Sequence, residues 1–197
     1  RMFQTTAADA GTAAAVTIDE QVYALLELNT GVGPVQGPVM GDTNQLFDAT
    51  NHLNAGTEAL DLAGYIARRT AMEKQTDDQG KVLGIRVAYM LVPTELRDTA
   101  EDLAGSEWLV AASGTAQRIN TVRRQFTVVS TPRLTDANDW YLAAANGTIE
   151  VAFLRGNRMP AILRDEGWNT DAIHWKVRHP SIPFAVDWRG LQLAKVA

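Results

Sequence analysis

The sequence predicts an α+β fold, with helices in its first half and strands in its second. Apolar residues recur at helical spacing in three segments before residue 105. After residue 125, short apolar runs alternate with proline, glycine and Asn-Gly turns, which is typical of strands. Because helices and strands do not alternate along the chain, a sheet built from repeated βαβ units is not expected.

The first half holds three predicted helices. Thr17 and Glu20 form a capping box for a helix that ends near residue 29, whereas residues 1–16 are small, polar and aperiodic and are expected to be a disordered lead. The second helix covers 57–75, with Thr57 as its cap. The third begins at Pro93 and is closed by Gly105. Residues 31–41 contain four glycines and two prolines, so a loop or extended arm is expected there.

Seven strands are predicted, and one segment is left without regular structure. Residues 106–123 show no clean period and are expected to be a long, partly ordered surface loop, a kind of segment that often carries function. The predicted strands cover 82–92, 126–130, 140–144, 149–154, 161–164, 173–178 and 184–188.

Composition narrows the class of function. The chain has 197 residues, 46% of them apolar and 21% charged, which is an ordinary globular balance. Its net charge of −5 argues against a protein whose main task is to grip nucleic-acid phosphates. Without cysteine there is no disulfide framework, thiol nucleophile or cysteine zinc site. No apolar run approaches the roughly 18 residues of a membrane span, so no membrane partner is expected. No cofactor-binding motif is recognised, and no cofactor is expected.

The closing segment holds the residues that most resemble an active site. His174, His179 and Asp187 could in principle serve a small metal- or acid–base-dependent hydrolase. However, the two histidines are five residues apart, and an odd separation on a strand places them on opposite faces. A packing role is therefore the preferred interpretation, and the hydrolase is kept as an alternative.

Other chemical motifs are weak. Neither a phosphate-binding glycine loop nor a nucleophile elbow nor an H-E-x-x-H helix occurs, and His52 has no adjacent pair of carboxylates to make it a base. Arg118, Arg123 and Arg124 form one basic cluster, which could meet DNA or the acidic rim of a neighbouring subunit. Because the chain is acidic overall, protein contacts or a solvated face are favoured.

Several short motifs, taken together and in order, resemble a known family. The motifs are Leu46-Phe47 through His52-x-Asn54, Arg69-x-x-Met72-x-x-Gln75-Thr76-Asp77, Leu91-Val92-Pro93-x-x-Leu96, Trp140-Tyr141-Leu142, Ile149 to Leu154, Lys176-Val177-Arg178 and Asp187-Trp188-Arg189-Gly190. They resemble the major capsid protein of Mu-like tailed bacteriophages and prophages, including the capsid part of prohead protease–capsid fusions, over about residues 20–191.

The resemblance implies the Hong Kong 97-type capsid fold. On that basis residues 17–56 would form a helix and loop of the peripheral lobe, 57–165 mainly the axial lobe, and 166–197 closing strands that return to the peripheral lobe. The protein would be a structural subunit, not an enzyme, that assembles with its own copies and possibly with other head proteins. Packaged DNA would be enclosed or weakly contacted. A nanocompartment shell protein is a related alternative.

The resemblance also implies contacts and departures. The loop that carries Trp108, Arg118, Arg123 and Arg124 would approach a symmetry axis, which makes these residues candidate subunit contacts. Leu53 stands where family members usually have glycine, so the geometry of that turn is in doubt. Capsid proteins of this kind are longer, and we expect this chain to be an N-terminally truncated subunit.

Overall fold

The computed structural model describes residues 2–28, 33–110, 117–156, 158–166 and 173–196. The α+β prediction is confirmed: three α-helices and thirteen strands lie within these ranges. The helices are α1 (Met2–Leu26), α2 (Leu62–Glu73) and α3 (Arg97–Gly105). The strands are β1 (Val35–Val39), β2 (Gln45–Asp48), β3 (Ala55–Gly56), β4 (Tyr89–Pro93), β5 (Trp108–Val110), β6 (Gln117–Ile119), β7 (Thr127–Thr131), β8 (Trp140–Ala143), β9 (Ile149–Phe153), β10 (Ala161–Glu166), β11 (Ile173–Arg178), β12 (Ser181–Ala185) and β13 (Leu191–Ala194).

A five-stranded mixed sheet is the centre of the fold, in the order β3-β13-β8-β4-β7. The outer pairs β3–β13 and β4–β7 are parallel, and the inner pairs are antiparallel. Four two-stranded ribbons, β1–β2, β5–β6, β9–β12 and β10–β11, surround this sheet in the described part of the chain. Helix α1, rather than the sheet, makes the main contacts with β11 and β12 of the outer ribbons.

Strand β8 divides the core into two layers because successive side chains of a strand point to opposite faces. Trp140 and Leu142 pack in the cluster that α2 and α3 cover. Tyr141 and Ala143 pack on the other face, in the cluster that includes Leu26 of α1 and the β2 side chains. All four β8 residues are buried, which is why their sequence is a continuous apolar run.

Helix α1 corrects the expected start of the first helix. It begins at Met2 rather than at Thr17, so the expected disordered lead over residues 1–16 is wrong. The hydroxyls of Thr12 and Thr17 bond back to the carbonyls of Ala8 and Ala13, four residues earlier, instead of capping a new helix. The alanine content of this segment favours the continuous helix. The helix packs against β12, β11 and β1, and within the described residues no helix is long and apolar enough to cross a membrane.

Two other boundaries differ from the prediction for local reasons. Helix α2 begins after Asp61, whose carboxylate accepts a hydrogen bond from the Gly64 amide at 2.6 Å, so Asp61 rather than Thr57 is the cap. The strand predicted over 82–92 is regular only in β4, because Gly84 has a φ of +61° and interrupts the extended chain.

Strands also occur where a loop was expected. The glycine-rich segment contains β1, an edge strand whose register shifts between Gln36 and Val39, where Gly37 has a φ of +93°. The segment 106–123 contains the β5–β6 ribbon, while residues 111–116 lie outside the described ranges. The last predicted strand, over 184–188, is displaced: β12 ends at Ala185, and a turn follows.

Candidate functional site

His52 is the centre of a buried polar network in the turn between β2 and β3. Its imidazole is 2% exposed, and its Nε2 lies 2.6 Å from a carboxylate oxygen of Asp42. Its Nδ1 lies 3.2 Å from the Leu46 carbonyl oxygen. The sequence shows no adjacent pair of carboxylates at His52, and the fold brings one carboxylate, Asp42, to its ring from ten residues earlier.

The pairing with His52 shapes the charge of Asp42 and the chemistry of the ring. The hydrogen bond from His52, followed by those from Asn44, lowers the pKa of Asp42 to about 2, so this carboxylate is ionised at neutral pH. A histidine that acts as a general base must offer one ring nitrogen to a substrate. Both nitrogens of His52 face protein acceptors. The Asp42–His52 pair resembles a catalytic dyad, but its contacts hold the turn between β2 and β3 in place.

Trp188 and Arg189 close this network from the far end of the chain. The Trp188 ring stacks on His52 with 4.3 Å between ring centroids and 8° between their planes. The Arg189 guanidinium lies 4.7 Å from the Trp188 ring centroid and donates to the Thr76 carbonyl at 3.0 Å. It also forms ion pairs with Asp78 and Asp187. The result is a layered stack of imidazole, indole and guanidinium.

Asn54 and Gln75 complete the network with buried amides. The Asn54 side chain accepts from the Asp48 amide at 2.9 Å and donates to the Leu46 carbonyl at 2.8 Å. Gln75, at the end of α2, donates to the His52 carbonyl at 2.9 Å. Since buried polar groups are costly unless paired, these contacts fix the turn, the helix end and the closing segment to one another. We call the set His52, Asn54, Gln75, Trp188 and Arg189 the polar clamp.

The predicted hydrolase residues are not part of a common site. His174 lies on β11 opposite Asp165, on the exposed side of its ribbon. His179 packs near Phe153 on the other side, with its Nε2 3.2 Å from the Arg158 carbonyl oxygen. Asp187 accepts from the Arg189 amide at 3.0 Å. Among the described residues no group of three or more histidine, aspartate or glutamate side chains could hold a metal ion.

The candidate contact residues lie on and beside the β5–β6 ribbon. One face of the ribbon exposes Trp108, Val110 and Ile119, at 54%, 67% and 62% of their surface. Trp108 is paired directly with Ile119, and Leu109, on the opposite face, packs against the core. Arg118 is exposed and lines a cleft with Trp108, and both Arg123 and Arg124 are exposed in the following turn. The four candidates therefore lie on the β5–β6 ribbon and in the turn that follows it.

A comparison with protein families decides the class. The family model described as "Phage capsid protein" matches residues 1–194. The chain belongs to the phage capsid protein family. This membership implies a structural role.

Two solved structures are similar to this capsid protein at low identity. One is a phage-related protein from Bordetella bronchiseptica RB50, at 8% identity and a TM-score of 0.45, covering 68% of this chain and 48% of that one. The other is the satellite phage P4 procapsid, including its size determination protein, at 10% identity and a TM-score of 0.42, covering 92% and 61%. The capsid protein thus spans about half to three fifths of their lengths. No curated protein matches it in sequence.

The capsid protein has a second exposed apolar face, on the β9–β12 ribbon. Ile182 and Phe184 point away from the core, with Ala152 and Glu150 opposite them on β9. Their exposed fractions are 64% and 41%, and Leu154 and Val186 extend the patch. Exposed apolar side chains grouped on one face of a ribbon are more typical of a contact surface than of a solvated one. The predicted strands over 149–154 and 184–188 overlap β9 and β12, but nothing in the sequence showed that they pair, so this face was not recognised.

Proposed function

We propose that the chain is a structural subunit of an icosahedral bacteriophage or prophage head, of the Mu-like kind and with the Hong Kong 97-type arrangement. The family match over residues 1–194 is the observation that carries this proposal. The ordered series of motifs from Leu46 to Gly190 supports the Mu-like assignment. Subunits assemble in the bacterial cytoplasm and remain in the virion capsid.

The mechanism is geometric rather than chemical. Each contact joins two different faces of neighbouring copies and is therefore heterologous. Such contacts form a closed shell when the rotation from one subunit to the next brings the series back to its start. The ribbon with Trp108, Val110 and Ile119 is one such face, with Arg118, Arg123 and Arg124 at its rim. Burial of apolar surface stabilises each contact modestly, and repetition stabilises the shell.

The charge of the chain fits enclosure of DNA rather than tight binding. A net charge of −5 disfavours tight binding to the phosphate backbone. This charge suits a shell that holds DNA by enclosing it. The polar clamp contributes by fixing the closing segment to the turn at His52. A subunit with one fixed shape can occupy many equivalent positions.

Electron microscopy of the whole gene product expressed alone tests the proposal. Closed particles of uniform diameter are expected, and a persistent monomer of the intact product would count against it.

Two matched variants of the gene product test the contact face. Ile119→Lys places a charge on the exposed ribbon and should prevent or slow particle formation. Val82→Lys alters an equally exposed apolar residue away from that ribbon and should assemble normally. If both variants assemble like the parent, the β5–β6 ribbon is not a subunit contact.

A further inference from the structure

An open cleft of about 720 Å³ lies between α2 and the segment that precedes β4. It belongs to neither the polar clamp nor the two apolar ribbons. Its walls combine an aromatic ring with several polar side chains, which distinguishes it from a simple gap between elements. It is lined by Tyr65, Arg69, Glu73, Gly84, Arg86, Val87 and Gln125.

Two buried donors at this cleft lack an acceptor among the described residues. The Tyr65 side chain is completely buried, and its hydroxyl has no hydrogen-bond partner. The Nε of Arg69 is likewise buried and without one. Burial raises the pKa of Tyr65 to about 12, although Arg69 opposes the shift, so the hydroxyl keeps its proton and remains a donor. Buried donors are normally paired, so the Tyr65 hydroxyl and the Arg69 Nε each lack an acceptor that such groups usually have.

The Arg69 guanidinium is held in place before any ligand arrives. It donates through Nη1 to the Gln125 amide oxygen at 2.9 Å, and Gln125 itself donates to the Thr121 carbonyl at 2.9 Å. It also lies 5.9 Å from the centroid of the Tyr65 ring. A fixed guanidinium loses little side-chain entropy on binding, which favours even a small ligand.

The charge of the cleft selects the class of ligand. Arg69 and Arg86 are positive, and Arg86 is exposed with no ion pair among the described residues. Glu73 is negative and lies 3.8 Å from the Arg69 Nε, too far for a hydrogen bond. Two positive groups and one negative group leave a net charge of +1, which the single charge of a carboxylate balances and the two charges of a phosphate dianion exceed.

We propose that this cleft binds one carboxylate group. The two carboxylate oxygens accept from the guanidinium groups of Arg69 and Arg86, and the group lies against the wall of the cleft that Tyr65 forms. Planar guanidinium groups match the two oxygens of a carboxylate. This assignment goes beyond the role as a shell subunit and does not depend on it.

Thermal unfolding of the chain in sodium acetate tests the site. The melting temperature is compared with that in sodium chloride at equal ionic strength and pH, for the parent chain and for Arg86→Gln, Tyr65→Phe and Arg178→Gln. Arg178 is an exposed arginine on β11, away from the cleft, and serves as the matched control. N-acetylglutamate amide is a second probe, which distinguishes a protein side chain from a small acid as the source of the carboxylate.

Acetate should raise the melting temperature of the parent and of Arg178→Gln equally, because a ligand that binds only the folded state stabilises it. The rise should fall by at least half in Arg86→Gln and in Tyr65→Phe. Tyr65→Phe should fold normally without acetate, since it removes an unpaired hydroxyl. Equal rises in all four chains overturn the proposal. A larger, Arg86-dependent rise with inorganic phosphate overturns the choice of carboxylate.

Discussion

Asp139 offers the sharpest test of the energetics of this fold. It lies just before β8, is 2% exposed, and accepts a hydrogen bond from the Val196 amide at 3.0 Å. Burial, reinforced by the nearby charge of Asp136, raises its pKa from 3.8 to about 6. Burial of the charged form therefore opposes folding at neutral pH.

The magnitude follows from the difference between the two pKa values. At 1.36 kcal/mol for each pH unit, a rise from 3.8 to about 6 corresponds to about 3 kcal/mol. The folded state binds the proton more tightly than the unfolded state. Its contribution is thus fully present below pH 3.8 and is lost as the pH rises through about 6.

Asp139→Asn keeps an oxygen for the Val196 amide and removes the charge. We expect the variant to be more stable than the parent by about 2 to 3 kcal/mol at pH 7.5, and the difference to shrink below about 1 kcal/mol near pH 4. Urea unfolding at both pH values measures it, and comparison of the two chains at each pH cancels the titration of other groups. A difference that is independent of pH, or a less stable variant at pH 7.5, would refute the argument.

Three further substitutions test single features by urea unfolding at pH 7.5. Leu53 has a φ of +55° and is 64% exposed, so its left-handed backbone is strained and its side chain buries little surface. Leu53→Gly should therefore stabilise the chain by roughly 0.5 to 1 kcal/mol, and a loss of stability would show that the backbone at Leu53 is not strained. Gly64→Ala should destabilise it by roughly 1 to 3 kcal/mol because the new Cβ would lie 2.2 Å from the Ala59 carbonyl oxygen, whereas Gly105→Ala, with open space around it, should be neutral. Asn54→Ala should destabilise it by roughly 2 to 4 kcal/mol because it leaves the buried Asp48 amide unpaired, and an effect below about 1 kcal/mol would mean that the clamp is not rigid.

Elements with a strong local pattern could be predicted from the sequence. The predicted strand over 140–144 extends one residue beyond β8, and the predicted strand over 173–178 has the same bounds as β11. Each segment is a compact strand-forming run bounded by turn residues. Helix α3 ends at Gly105 as expected. Strand β13 was missed because four residues, Leu-Gln-Leu-Ala, carry too little periodicity to be recognised.

The polar clamp could be predicted only in part. The resemblance singled out His52, Asn54, Gln75, Trp188 and Arg189, but no local pattern indicated that they meet. Their contacts join the first third of the chain to its end, and such pairs depend on the whole topology. The assigned contact residues Trp108, Arg118, Arg123 and Arg124 remain a prediction.

The position of β13 has a consequence for synthesis. This late strand lies inside the sheet, where Leu193 is paired with Ala55 on one side and with Tyr141 on the other. While these residues are still within the ribosome, β3 has no partner in the sheet and β8 has one open edge. The nascent chain therefore cannot complete its core until translation has passed Ala194.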